Sequence, residues 1–330
     1  VFIVGSPRSG TTLFYHMLLS AGGFVRFRTE THIYNALGPR FGGLRTAAQR
    51  EAALEVWLAS DCHTLSGLSA EEVREAVRRD VRCPGDFLRA VMGAMARRQG
   101  AARWAESTPA HAVHLLEIAQ ELPDALFVHV VRDGRDVAAS LAKQGWVRPL
   151  PFDRDCPVLA AAAYWSWLVG RGRQQGRRLG SRYIEVRYED LVEAPAPTLS
   201  RLGEFLRHEL NWQTIQRVGI GSVSQPNSSF PGSSGGFKGR WKSELSASDA
   251  ASVDALLRGR LLEFGYASET LPSVVAPLRR AAYRTWFGGR DWVKRHTLLG
   301  ARITRLDFYA PGSMRITADK LAGLNGPTAA

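Results

Sequence analysis

Cysteine is scarce. The chain has three in 330 residues, Cys62, Cys83 and Cys156, odd in number, far apart and without a C-x-x-C pair. That usage excludes a zinc ribbon and a disulfide-built scaffold, and no metal-ligand cluster forms around the three. A Cys62–Cys83 bridge is expected only in an oxidising compartment; otherwise free thiols are expected. Long apolar runs are also missing, and nothing approaches the length of about 20 residues that a membrane-spanning helix needs. No signal peptide is visible, and there is no internal repeat or low-complexity tract. A cytoplasmic setting is expected for the stretch itself; the sequence begins at Val1 inside an apolar run, and a membrane-associated setting is expected if an anchor before it was removed. Acidic residues are outnumbered, 31 against 43 lysines and arginines, for a formal charge of +12. Such a balance suits a polyanionic partner, an acidic membrane surface or an anionic cofactor; a general bias toward arginine and alanine gives it as well. The length fits one large domain, or one domain with an extension.

What is present starts at the first residues. Val1-Phe2-Ile3-Val4 is apolar and β-branched, Gly5-Ser6-Pro7-Arg8-Ser9-Gly10-Thr11-Thr12 is a glycine-bearing loop, and Leu13–Leu19 reads as a helix. Strand, glycine loop and helix start form the arrangement that holds a phosphate, because free N–H groups and the helix dipole face the anion. Gly5 and Gly10 permit close backbone approach. Arg8 adds a permanent cation with a planar fork of donors, and Thr11 and Thr12 add hydroxyls. An ordinary strand–turn–helix junction is the plainer alternative. The loop of nucleoside-triphosphate enzymes reads G-x-x-x-x-G-K-[ST]; the glycine spacing agrees, but Thr11 stands where the lysine belongs. That points away from an ATPase or kinase.

Ala125–Val131 is a continuous apolar run of the kind found inside a parallel sheet. It ends in Arg132-Asp133-Gly134-Arg135-Asp136, with Ser140 further along the next helical stretch. Arg132, at the strand's carboxyl end, can present a bidentate cation to a phosphate, and Ser140 a hydroxyl from a second direction. Ligands of open α/β sheets sit beyond the carboxyl ends of the strands, where this stretch and the Gly5 loop both fall. Asp133 and Asp136 are expected to cap the helix or hold the arginines.

Elsewhere, alternation predicts strands over 24–28 and 103–108, and apolar spacing predicts helices over 47–60, 86–98, 157–179, 198–206 and 247–258. Ser69 and Glu72 form a capping-box pattern. Residues 219–236 are rich in Gly, Ser, Pro and Asn and read as a loop, flowing into Phe237-Lys238-Gly239-Arg240. From 267 onward, arginines alternate with Tyr283, Trp286, Phe287 and Trp292. Such mixing fits helices packed on the main domain or a membrane-facing surface; packing is expected, since Gly288-Gly289 should interrupt any long amphipathic helix. The residues from Gly323 onward are expected to be disordered.

Pro7-Arg8-Ser9-Gly10-Thr11-Thr12 resembles the phosphosulfate loop of the sulfotransferases that use 3′-phosphoadenosine 5′-phosphosulfate (PAPS), P-[KR]-[SA]-G-T-[TS]. Arg132–Ser140 resembles their 3′-phosphate motif, R-D-P-R-D-x-x-x-S, with Gly134 in place of the proline. Arg187-Tyr188-Glu189-Asp190-Leu191 is a further string characteristic of them, mostly structural there. The style is that of the protein-tyrosine and carbohydrate sulfotransferases. The resemblance covers about residues 1–265. It implies an α/β, P-loop-like three-layer fold, a central parallel sheet flanked by helices, with 266–330 as a basic aromatic extension.

The implied reaction is transfer of a sulfonate group from PAPS to a hydroxyl or amine, without a metal. Pro7, Arg8, Ser9, Gly10, Thr11 and Thr12 would hold the 5′ side of the donor, and Arg132 and Ser140 its 3′-phosphate. The loop before Lys238, Gly239 and Arg240 is similar to the family's lid, whose Ser222 or Ser224 would touch the cofactor. Glu30 stands where the family keeps its general base, with Arg8 stabilising the leaving oxygen; His32 and Glu106 are the other candidate bases. Ser107 replaces a lysine frequent in the family, so Arg8 alone or Lys238 would take over its charge. His111 and His114 are expected to be structural. A carbohydrate, tyrosyl peptide or small metabolite is the implied acceptor, with no nucleic-acid partner and with peripheral membrane contact as an option. A nucleotide kinase of the same loop class and an inactive polyanion- or membrane-binding module are the alternatives.

Overall fold

The two apolar runs become neighbouring strands. The computed structural model describes residues 1–78, 81–223, 238–314 and 316–321. β1 (Phe2–Gly5) leads into α1 (Thr11–Ala21); α2 (Ala47–Leu58), α3 (Ala70–Arg78) and α4 (Pro84–Gln99) follow before β2 (Phe127–Val131). α5 (Gly134–Gln144) and α6 (Pro157–Gly176) connect to β3 (Tyr183–Arg187). α7 (Tyr188–Glu193), α8 (Pro195–Leu206), α9 (Ala247–Glu263) and α10 (Val275–His296) come after it, with shorter helical turns between.

The strands form one parallel sheet in the order β1-β2-β3, with Phe2 opposite Phe127 and Phe127 opposite Tyr183. Side chains alternate across it. Phe2, Val4 and Phe127 join a core with Val25, Trp57 and Met92 on one face. Ile3, Val128 and Val130 join Leu18, Leu199 and Leu202 on the other. Both faces are covered, which is why the strands read as unbroken apolar runs. A third core, with Val137, Trp165, Leu257 and Tyr283, ties α5, α6, α9 and α10 together. Each fully buried side chain of this size contributes about 1.5–3 kcal/mol. The result is the expected α/β architecture, a parallel sheet between helical layers.

Two expectations need correction. Residues 24–28 and 103–108 are not strands; only single bridges form, Phe2 with Glu106 and Phe24 with Arg103. At Arg26 a side chain, Gln99, takes the place of a partner strand: its buried amide accepts from the Arg26 N–H at 2.8 Å and donates to the Arg26 carbonyl at 3.2 Å. The expected break at Gly288-Gly289 is also absent, since α10 runs from Val275 to His296. Two interior glycines cost about 1 kcal/mol each relative to alanine. Packing offsets this: Phe287 meets Tyr164 and Trp167 at ring separations of 5.2 and 5.6 Å, and Tyr283 is buried. The capping box forms, with the Glu72 N–H donating to Ser69 Oγ at 3.1 Å and the Ser69 N–H to Glu72 Oε2 at 2.7 Å. The cysteines are unpaired, and burial pushes the Cys62 thiol up to about 12.

Candidate functional site

The turn after β1 is built for close approach. A Cβ on Gly5 would lie 2.4 Å from the Val130 carbonyl oxygen of β2. Gly10 has φ 93°, and a Cβ there would lie 2.2 Å from the Tyr188 ring. Between them Arg8 adopts φ 73°, a left-handed conformation that costs a non-glycine residue about 1–3 kcal/mol and is met chiefly where function requires it. The Ser9 N–H closes the turn onto the Ser6 carbonyl at 3.1 Å. α1 starts with no side chain capping it and no acid in its first turn. Its first N–H groups and the positive end of its dipole therefore face the loop uncompensated. Ser9 Oγ is fully buried and has no hydrogen-bond partner among the described residues.

β2 delivers the second half. Arg132 follows its last residue and is nearly buried. Its Nη1 donates to the Arg8 carbonyl at 3.4 Å and its Nη2 pairs with Asp136 at 3.3 Å. Its guanidinium lies over the Tyr188 ring, 4.5 Å from the centroid. Arg8 Nε in turn donates to Ser140 Oγ at 3.1 Å. Asp136 and Ser140 are four residues apart on α5, hence on one face. The Gly5 loop and the Arg132–Ser140 stretch thus meet at adjacent carboxyl ends of β1 and β2.

Asp136 also gathers the chain that follows residue 237. It accepts from the Gly239 N–H at 3.0 Å and the Trp241 N–H at 2.9 Å. This brings Arg240 toward the other two arginines. Burial lowers the pKa of the Arg8 guanidinium, and the positive charges of Arg132 and Arg240 lower it further. Arg8, held close to two further cations at a cost to itself, favours an anion beside it. Burial pushes the Asp136 carboxyl up, against the pull of Arg132 and the Trp241 N–H. Arg135 points elsewhere, to Asp133 at 2.7 Å and Asp254 at 2.8 Å, and so fixes α5.

The other expected residues have partners of their own. Lys238 is exposed and pairs with Glu193. Ser222 is tied to α1: its N–H donates to His16 Nδ1 at 3.0 Å, and its hydroxyl is 3.1 Å from the same nitrogen. Burial drops the His16 imidazole to about 4, so it stays neutral as that acceptor. Ser224 and most of the loop before Lys238 lie outside the described residues. Glu30 is 41% exposed and its Oε2 is 3.0 Å from His32 Nε2.

Glu106 is buried, and its oxygens are taken. Oε1 accepts from the Thr31 N–H at 3.3 Å, the Thr31 hydroxyl at 2.8 Å and the Thr108 hydroxyl. Oε2 accepts from the Thr108 N–H at 3.1 Å and His111 Nδ1 at 3.0 Å. Burial alone would raise its pKa; His111 and the threonine hydroxyls reverse that and hold the carboxyl at about 2. Burial pushes His111 the other way, down. Glu106 is the post to which the Thr31–His32 backbone is fastened. Ser107 beside it is buried. His114 is also buried, with Nδ1 3.0 Å from Glu117.

The family model of the sulfotransferase family matches residues 1–213. The chain belongs to the sulfotransferase family. No individual curated protein matches the sequence. Among solved structures it is similar to the sulfotransferase domain of the Synechococcus PCC 7002 olefin synthase, at 21% identity over 87% of this chain and 93% of that one, with a TM-score of 0.48. The sulfotransferase domain from the curacin biosynthetic pathway gives 18% identity, 81% and 98% coverage and a TM-score of 0.49. A Mycobacterium avium sulfotransferase gives 17%, 82% and 78%, and 0.47.

Within this sulfotransferase, Tyr188 is the site residue that sequence reasoning passed over as structural. Its ring closes on Gly10 and supports Arg132. The available signal was its position, an aromatic just past the carboxyl end of β3, level with the loops after β1 and β2. Among the described residues no group of three or more His, Cys, Asp or Glu side chains could hold a metal ion, and no helix is long and apolar enough to cross a membrane.

Proposed function

We propose that this sulfotransferase moves a sulfonate group from PAPS to a hydroxyl or amine of an acceptor. One observation carries the reading: Arg8 Nε reaches Ser140 Oγ at 3.1 Å while Arg132 reaches the Arg8 carbonyl, so the two motifs meet in one cationic cluster. The orphaned Ser9 hydroxyl and the uncapped start of α1 suit an anion with oxygens on the loop side. PAPS supplies a sulfonate already activated on its 5′-phosphate.

The chain's residues divide the remaining work. Arg132 and Ser140 hold the 3′-phosphate, which separates this donor from ATP. The N–H groups of residues 8–12 and the threonine hydroxyls hold the 5′-phosphate, and Arg240 adds the third side, with the Gly239 N–H anchoring its segment to Asp136. Lys238, Ser222 and Ser224 are the further residues assigned to the donor. Glu30 takes the proton from the acceptor as the acceptor oxygen bonds to sulfur and the bond from sulfur to the 5′-phosphate oxygen breaks. Arg8 and the α1 amides stabilise the charge collecting on that oxygen. Glu30 rather than Glu106 has the role, because Glu30 is open to solvent whereas both oxygens of Glu106 are committed. The acceptor side faces Glu30 and takes a carbohydrate, a tyrosyl peptide or a small metabolite.

Calorimetry with adenosine 3′,5′-bisphosphate and with adenosine 5′-monophosphate tests the pocket. The bisphosphate should bind at least about thirtyfold more tightly, the value of roughly 2 kcal/mol for a charge-assisted contact. Equal affinities would remove the basis for assigning Arg132 and Ser140 to the 3′-phosphate.

A further inference from the structure

Residues 308–314 lie beyond the part of the chain that the family model matches, yet they pack against the segment carrying Glu30. Tyr309 is buried and its hydroxyl donates to the Thr31 carbonyl. The Asp61 carboxylate, also buried, accepts from the Gly312 N–H at 3.1 Å and the Met314 N–H at 2.8 Å. These contacts fix the strap in place and press Phe308 onto His32. The two rings lie flat on each other, 3.6 Å between centroids and 13° between planes.

His32 is held on every side. Its backbone sits at φ 49°, and its N–H donates to Thr108 Oγ1 at 3.2 Å. Asn35 Nδ2 lies 3.3 Å from Nδ1, and Glu30 Oε2 lies 3.0 Å from Nε2. An amide NH₂ only donates, so Nδ1 accepts and the proton of a neutral ring is on Nε2. Turning the Asn35 amide over would demand a doubly protonated ring, which again carries a proton on Nε2. In either case an N–H faces the Glu30 carboxylate.

Resting on the reading of Glu30 as the base, we propose that His32 and Phe308 are positioning residues for it. Phe308 holds the imidazole flat, the Nε2–H pins Oε2, and the other carboxylate oxygen is left to receive the acceptor's proton. The catalytic arrangement is therefore completed by the C-terminal strap.

Proton NMR of the full chain, with histidine labelled in ¹⁵N, reads the Nε2–H of His32 directly. The wild type should show a hydrogen-bonded ring proton protected from exchange. Phe308→Ala should lose it and Phe308→Tyr should restore it, at unchanged affinity for adenosine 3′,5′-bisphosphate. Phe308 is 45% exposed, so its truncation leaves the core intact. Release of the bisphosphate from PAPS, with water and with p-nitrophenol as acceptors, should fall by up to about a hundredfold in kcat for Phe308→Ala, the scale of a misplaced reacting group. A Phe308→Ala variant that keeps both the ring proton and kcat, beside an inactive Glu30→Gln, overturns this inference alone. A Glu30→Gln variant as fast as wild type overturns the base reading and the positioning role with it.

Discussion

Replacing Arg132 by alanine probes the pocket at its most informative point. Among the contacts of the side chain are the Arg8 carbonyl at 3.4 Å, Asp136 at 3.3 Å and the Tyr188 ring. Its loss does not strand Asp136, which keeps the Gly239 and Trp241 N–H groups at 3.0 and 2.9 Å. It also removes one of the positive charges that depress Arg8. The folded protein should therefore lose at most about 2 kcal/mol of stability, an ordinary value for a substitution that opens no core cavity. Binding of adenosine 3′,5′-bisphosphate is another matter. A nearly buried arginine facing a phosphate is worth about 2–4 kcal/mol when truncated, which is about 30- to 1,000-fold in Kd. Arg132→Lys keeps the charge but not the fork, and should recover only part of this. Titration calorimetry of the three proteins, with thermal melts as the control for folding, gives the answer. An alanine variant that binds the bisphosphate as tightly as the wild type would refute the assignment of Arg132 to the 3′-phosphate.

Three other outcomes follow from the geometry. Gly10→Ala forces a Cβ within 2.2 Å of the Tyr188 ring at a left-handed φ; it should destabilise the loop by about 1–3 kcal/mol and weaken bisphosphate binding, both read by melting and calorimetry. Glu30→Gln should abolish sulfonate transfer while leaving bisphosphate affinity within about twofold, because an exposed residue outside the cation cluster contributes little to that binding. The Glu106 carboxyl is held at about 2 against an ordinary 4.5. Its stabilisation is therefore complete above about pH 4.5 and is lost as pH falls toward 2. Glu106→Gln should cost about 1–3 kcal/mol near neutrality and flatten that acid limb in denaturation curves.

The sheet was legible because its strands obey a simple rule. Covered on both faces, β1 and β2 are unbroken apolar runs, and each ends at a residue with chemistry. Residues 24–28 alternate as a strand would, but Arg26 pairs with Gln99, a long-range side-chain contact that local pattern does not contain. The glycine pair in α10 misled because its cost is local while the compensating contacts of Phe287 come from α6. In the site, Arg8, Arg132 and Ser140 could be picked out and expected at one end of the sheet, but not the individual contacts between them. The choice between Glu30 and Glu106 turned on burial, which depends on Thr31, Thr108 and His111 arriving from different segments. Nothing in the sequence near Glu30 announces Phe308, which is distant along the chain.

The most direct test is a crystal structure with adenosine 3′,5′-bisphosphate bound. The 3′-phosphate should lie against Arg132 and Ser140, and the 5′-phosphate against the amides between Pro7 and Thr12, with Arg8 between them. A bisphosphate bound elsewhere, or one whose 3′-phosphate faces solvent away from Arg132, would contradict the proposed donor pocket.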